Sequence, residues 1–195
     1  MIMISNALVK KVEDFIVTHI EETDSQKKET ISYGIKVLLI NLYKIPIIFI
    51  VAYILGILRY SIIAYICFSS LRTFAGGIHA ERGFNCLLSS MIAIYSPVYF
   101  SNFIRRSHNI VLFIITLIII ILYAPSDTKK KPIKSYKLKS NLKKCSILAI
   151  IAIFAVSYCV PENISTIMLI SLFIESILVL PITYKIFRKE RGTYA

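Results

Sequence analysis

The chain reads as an all-α, polytopic membrane protein with about six transmembrane or membrane-embedded helices behind an amphipathic N-terminal helix. Three observations predict this. The 195 residues are 56% hydrophobic with a mean hydropathy of +0.71, too apolar for a soluble domain of this length. Charge-free runs recur at 45–58, 60–71, 83–104, 107–126, 145–161 and 163–174. Basic residues collect between those runs and at the C-terminal end. The whole of 1–195 is expected to form one membrane domain.

Residues 1–24 predict a helix lying on the membrane. Ile4, Leu8, Val12, Phe15, Ile16 and Ile20 recur at three- and four-residue spacing, with Lys10, Lys11, Glu13, Asp14, Glu21 and Glu22 on the other face. Such a stripe either anchors at the interface or packs on the protein's own helices. The mixed charge argues against a cleavable signal peptide.

The apolar runs predict membrane segments near 35–56, 60–75, 85–103, 109–123, 145–160 and 164–184. Several runs fall short of the ~20 residues that cross a bilayer. They need flanking polar residues, tilt, or shielding by other helices. Pro46, Pro97 and Pro181 are expected to kink helices. Tyr60, Tyr99, Tyr123 and Tyr184 fall at segment ends, where an interfacial aromatic belt belongs. Lys44 and Glu175 are ionisable groups near membrane depth, and such residues are commonly functional. They are expected to pair with one another or with polar residues inside the bundle.

Residues 71–86, LRTFAGGIHAERGFNC, place His79 and Cys86 in a glycine-broken stretch between apolar runs, with Arg72 and Arg82 beside them. Histidine and cysteine are the minimum set for thiolate catalysis: the imidazole takes the thiol proton and the sulfur attacks a carbonyl. On one straight helix the two would be about 10.5 Å apart in rise, whereas a catalytic hydrogen bond needs roughly 3 Å. The chain must therefore fold back. The pattern predicts a helix ending near Ala75, a compact loop over 76–84 that turns at Gly83, and a helix starting at Asn85 as N-cap. Cys86 then lies in the first helical turn. These features point to a membrane-embedded cysteine endopeptidase.

Charge predicts orientation. Eight lysines lie between Asp127 and Cys145, at 129, 130, 131, 134, 137, 139, 143 and 144, within a basic loop expected over 124–144. Lys185, Arg188, Lys189 and Arg191 form a basic tail over 185–195. The positive-inside rule puts both in the cytoplasm, and counting segments brings the N-terminus, His79 and Cys86 to the same side. Arg105 and Arg106 then fall outside, unless 85–103 and 109–123 form a shallow pair. The net charge of +12 suits anionic lipid headgroups or an acidic substrate segment. No extramembrane domain is long enough to read nucleic acid. Cys67 and Cys159 lie in apolar runs as small hydrophobes, and no disulfides are expected. A metal site would need three or four convergent ligands, and only His79, Cys86 and Glu81 cluster, so neither metal nor cofactor is expected.

Two sequence blocks carry a family resemblance. Arg72-Thr73-Phe74-Ala75-Gly76-Gly77-Ile78-His79-Ala80 is followed by Cys86. Some forty residues on, Tyr123-Ala124-Pro125-Ser126-Asp127 precedes a lysine run and Pro132-Ile133. Together with length and hydropathy, these resemble the accessory gene regulator B (AgrB) family of bacterial quorum sensing over nearly the whole chain. The resemblance implies a multi-pass protein of the bacterial cell membrane that removes the acidic C-terminal tail of a small precursor peptide. It also implies help in closing the remainder into a thiolactone. By position, His79 is the implied general base, Cys86 the nucleophile, and Arg72 and Gly77 supporting residues. Lys129, Lys130 and Lys131 are candidates to meet the acidic tail, and a second copy of the chain is a candidate partner. The rival classes are a non-enzymatic scaffold or chaperone, and a small transporter using Lys44 and Glu175.

Overall fold

The computed structural model describes residues 41–77, 83–126 and 135–186. The helix expected over 1–24, and residues 187–195 of the basic tail, lie outside the described residues. Within them the chain is α-helical and forms no strand. The helices are α1 (Asn41–Ile54), α2 (Leu58–Ala75), α3 (Gly83–Phe100), α4 (Asn109–Tyr123), α5 (Tyr136–Ser157), α6 (Glu162–Val179) and the short α7 (Pro181–Ile186). A 3-10 turn, Arg106–His108, leads into α4.

Local chemistry sets the helix ends. Gly56 has φ +71, and its N–H donates to Tyr53 O while Ile57 N–H donates to Ala52 O. This is a Schellman stop. Ser135 caps α5 by accepting from Leu138 N–H. Pro161 precedes α6, whose first turn carries Glu162, an acid placed at the positive end of the helix dipole. Leu180 is extended (φ −65°, ψ 142°), as the residue before a proline prefers, and Pro181 opens α7.

As helices, the segments expected at 60–75, 85–103 and 109–123 coincide closely with α2, α3 and α4. Two others differ. The fifth starts at Tyr136 rather than 145, because Ser135 supplies a cap and lysines are good helix formers. The sixth is broken at Leu180–Pro181 instead of running on to 184. Among the described residues three apolar stretches are long enough to cross a bilayer, Arg106–Tyr123, Tyr136–Ser157 and Glu162–Val179, and Asn41–Ile54 and Cys86–Phe100 are shorter apolar helices.

Helix α6 is the hub, packing against α2, α3, α4 and α5. Its buried set includes Ser165, Thr166, Ser171 and Ser176, small residues that allow close helix approach in lipid. Ser171 and Ser176 satisfy their hydroxyls on their own helix, donating to Ile167 O and Phe173 O at 2.7 Å. Leu71, Ala75, Ile120, Ala124, Ile150, Leu172 and Val179 form one core cluster joining α2, α4, α5 and α6. Outside, Ile110, Ile114, Ile118, Leu122, Leu148 and Ile151 are exposed, an apolar coat suited to lipid.

From α1 to α6 successive helices alternate in direction, as the contacts between their ends require. One end of the bundle gathers Arg106, which donates from its backbone N–H to Glu162 Oε1 (2.9 Å) and from its guanidinium to Tyr158 O (2.9 Å). Asn109 Nδ2 donates to Ser165 Oγ at 3.0 Å beside it. Helices α3 and α4 both pack on α6, and Arg106 is hydrogen-bonded where it stands. The other end gathers the C-termini of α2, α4 and α6, the N-termini of α3 and α5, and Lys44 of α1.

Candidate active site

At that second end the glycines of the first motif meet the second motif. Helix α2 stops after Ala75, with Gly76 N–H donating to Arg72 O at 3.1 Å. Gly76 and Gly77 have φ of +77° and +114°, values L side chains rarely adopt. Ser126 N–H donates to Ala75 O at 2.8 Å, and a Cβ on Gly76 would collide with the Ser126 carbonyl. Two blocks distant in sequence are thereby held backbone to backbone. Ser126 is buried, and its hydroxyl lies 2.5 Å from Tyr184 Oη. Tyr184 is thus a buried tie to α7, not a member of an interfacial belt.

Below this turn lies an ion pair. Arg72 Nη1 donates to Glu175 Oε2 at 2.8 Å and to Oε1 at 3.1 Å. Glu175 is fully buried. Gly77 packs directly on the pair: a Cβ there would sit 3.2 Å from Glu175 Oε1, 3.4 Å from Arg72 Nη1 and 3.5 Å from Leu178 O. Charge and backbone are fitted together two residues before His79.

Cys86 is buried in the first turn of α3. That helix begins at Gly83, so Asn85 is inside it and is not the N-cap, and Gly83 is helical rather than the turning residue. Cys86 keeps its expected first-turn position all the same. Its sulfur accepts from Lys44 Nζ at 3.7 Å, and the same ammonium donates to Ser90 Oγ at 3.1 Å. Ser90 Oγ in turn donates to Cys86 O at 2.8 Å.

Lys44 and Glu175 therefore do not pair with one another, since each has a separate polar partner. Apolar periodicity marks both as unusual but carries no signal for which groups they meet. Arg72 and Gly77 come together, and Cys86 lies at the same end of the bundle. His79, Glu81, Arg82, Lys129, Lys130 and Lys131 lie outside the described residues. A cleft of 350 Å³ lined by Arg106, Asn109, Phe154 and Tyr158 opens at the opposite end and involves none of the motif residues.

Comparison with known proteins gives the same direction as the motifs. The family model described as "Accessory gene regulator B" matches residues 4–179. An AgrB-like protein of Clostridium acetobutylicum is 32% identical over 164 residues, 83% of this chain and 78% of that one. An AgrB-like protein of Listeria monocytogenes is 27% identical, with 84% and 82% covered. Accessory gene regulator protein B of Staphylococcus aureus is 33% identical over 153 residues, with 77% and 80% covered. No solved structure matches. With a family model spanning most of its length and relatives of that name along most of theirs, this chain belongs to the accessory gene regulator B family.

Proposed function

We propose that this protein is a membrane-embedded cysteine endopeptidase of peptide quorum sensing. It removes the acidic C-terminal tail of a small precursor peptide through an acyl-enzyme on Cys86. The observation that carries the reading is the convergence of Cys86 with the Arg72–Glu175–Gly77 turn and the Ser126 block at one end of the bundle. Family membership supports the same reading.

In the proposed reaction His79 takes the Cys86 thiol proton, and the sulfur forms a bond to the scissile carbonyl carbon. The C–N bond breaks, the released amine takes a proton from His79, and a thioester remains on Cys86. A cysteine thiol in the bound precursor then attacks that thioester. It becomes part of the product ring and returns Cys86 as its thiol. The exchange step is close to neutral in free energy. The first step is uphill, and is favoured by removal of the tail and by keeping water from the thioester. Arg72, Glu175 and Gly77 act as positioning residues for the turn leading to His79. Lys129, Lys130 and Lys131 receive the acidic tail at the cytoplasmic face, where the motif end of the bundle lies. The transporter alternative is weakened because Glu175 is buried against Arg72 rather than lining a path with Lys44.

The test is co-expression with a precursor carrying an internal cysteine and an acidic end, followed by mass spectrometry. Cys86→Ala and Cys86→Ser should insert normally and leave the precursor whole. Normal processing by the alanine variant would end the proposal.

A further inference from the structure

The Lys44 side chain is buried, 8% exposed, in an otherwise apolar helix, where an ammonium is costly unless something compensates it. Its partners are Cys86 Sγ at 3.7 Å and Ser90 Oγ at 3.1 Å. Among the described residues no carboxylate pairs with it, whereas the less buried Arg72 has Glu175. Ser90 closes the arrangement by donating to Cys86 O at 2.8 Å, so one ring of contacts fixes ammonium, hydroxyl and sulfur relative to one another.

Resting on the endopeptidase reading, we infer that Lys44 is a third catalytic residue, the electrostatic partner of the Cys86 sulfur. A buried cation wants a counter-charge. The negative charge carried by sulfur during acyl transfer is the charge within its reach. Once the Cys86 proton has passed to His79, the ammonium stabilises the attacking sulfur. In the acyl-enzyme the sulfur is neutral and that pairing is lost. When the substrate thiol displaces Cys86, the sulfur leaves with the electron pair of the S–C bond, and the ammonium stabilises it again as leaving group. Lys44 keeps all three protons throughout, and proton transfer belongs to His79. The second step gives the lysine a particular use: an enzyme that hands its acyl group to another thiol needs a good sulfur leaving group as much as a good nucleophile.

The experiment uses the full chain in membranes with Cys67, Cys145 and Cys159 replaced by alanine, so that Cys86 is the remaining thiol. Its alkylation by neutral iodoacetamide is timed at pH 7, and cleavage of precursor is followed in parallel, both per unit of inserted protein. Lys44→Met, which keeps bulk and removes charge, should slow alkylation on the order of tenfold. It should lower kcat similarly while KM changes little. Lys44→Arg, which keeps the charge, should restore alkylation and part of the cleavage. Where Lys44→Met accumulates poorly, Lys44→Gln carries the same expectation. Wild-type alkylation in the charge-free variants would overturn the assignment even if cleavage fell, since packing alone would then explain the loss. Equal slowing in Lys44→Arg and Lys44→Met would overturn it too. Precursor cleavage by Cys86→Ala is a separate outcome that would remove the parent reading and this one together.

Discussion

Arg72 and Glu175, 103 residues apart in sequence, are joined by one guanidinium nitrogen that lies 2.8 Å from Oε2 and 3.1 Å from Oε1. The pair bridges the last turn of α2 to the hub helix α6, and Gly77 rests on it. A fully buried carboxylate in this position is stable only while its cation is present. Removing one partner strands the other, and breaking such a pair costs about 3–5 kcal/mol.

Glu175→Ala and Arg72→Met should therefore each lower the thermal midpoint in detergent strongly. The double variant Arg72→Met/Glu175→Leu should recover much of that loss, because apolar replacement of a whole buried pair is often neutral. Stability of the double variant no better than that of either single one would show that the pair is not the unit. Precursor cleavage should stay low in all three, because the turn before His79 has lost its support.

The two glycines should respond differently to alanine. At Gly76 the new Cβ runs into the Ser126 backbone carbonyl, which cannot swing aside, so Gly76→Ala should separate the two motif blocks and reduce folded protein. At Gly77 the nearest atoms belong to the Arg72 and Glu175 side chains at 3.2–3.4 Å, which can shift slightly. The positive φ still costs on the order of 1–3 kcal/mol. Gly77→Ala should thus fold better than Gly76→Ala yet cleave poorly. Yield of monodisperse protein and cleavage per molecule separate the two effects.

Much of this frame is legible in sequence because its signals are local. Gly56 and the glycines after Ala75 mark helix ends, and the apolar runs mark the helices. The start of α5 is less visible, because a single serine cap extends it outward through lysines that hydropathy assigns to a loop. Asn85 misleads for the opposite reason: it has cap chemistry, but the helix already runs through Gly83. Least legible are the partners of ionisable residues. Nothing near Lys44 in sequence names Cys86, 42 residues on, and nothing near Glu175 names Arg72. Only packing α1 on α3, and α6 on α2, brings them together.

Orientation can be read from two exposed positions at opposite ends of the bundle. Cys86 is buried, which suits a small neutral alkylating agent but not a bulky impermeant maleimide. Tyr136, at the motif end, is 87% exposed, and Phe103, at the other, is 83% exposed. In a background without other cysteines, Phe103→Cys should react with an impermeant maleimide added to intact cells. Tyr136→Cys should react only after permeabilisation. The reverse pattern would put the motif end outside the cell and remove the basis for a cytoplasmic precursor.

Neutralising Lys129, Lys130 and Lys131 together should weaken precursor binding more than chemistry. The three lysines follow the Tyr123–Asp127 block after Thr128, and Ser126 of that block is tied to the Gly76 turn. An acidic tail bound there would lie close to the first motif. Each solvent-exposed pair contributes only about 0–1 kcal/mol, so the triple Lys→Gln variant should raise the apparent Kd modestly. The difference from wild type should shrink at high salt, where exposed charges are screened. Turnover at saturating precursor should change little, because Cys86 and Lys44 are untouched. If the lysines served topology alone, the variant would misinsert or be degraded, and the correctly inserted fraction would bind precursor with the wild-type salt dependence. Binding measured across ionic strength on inserted protein separates these outcomes, and superimposable salt curves would leave the acidic tail without a receptor in this loop.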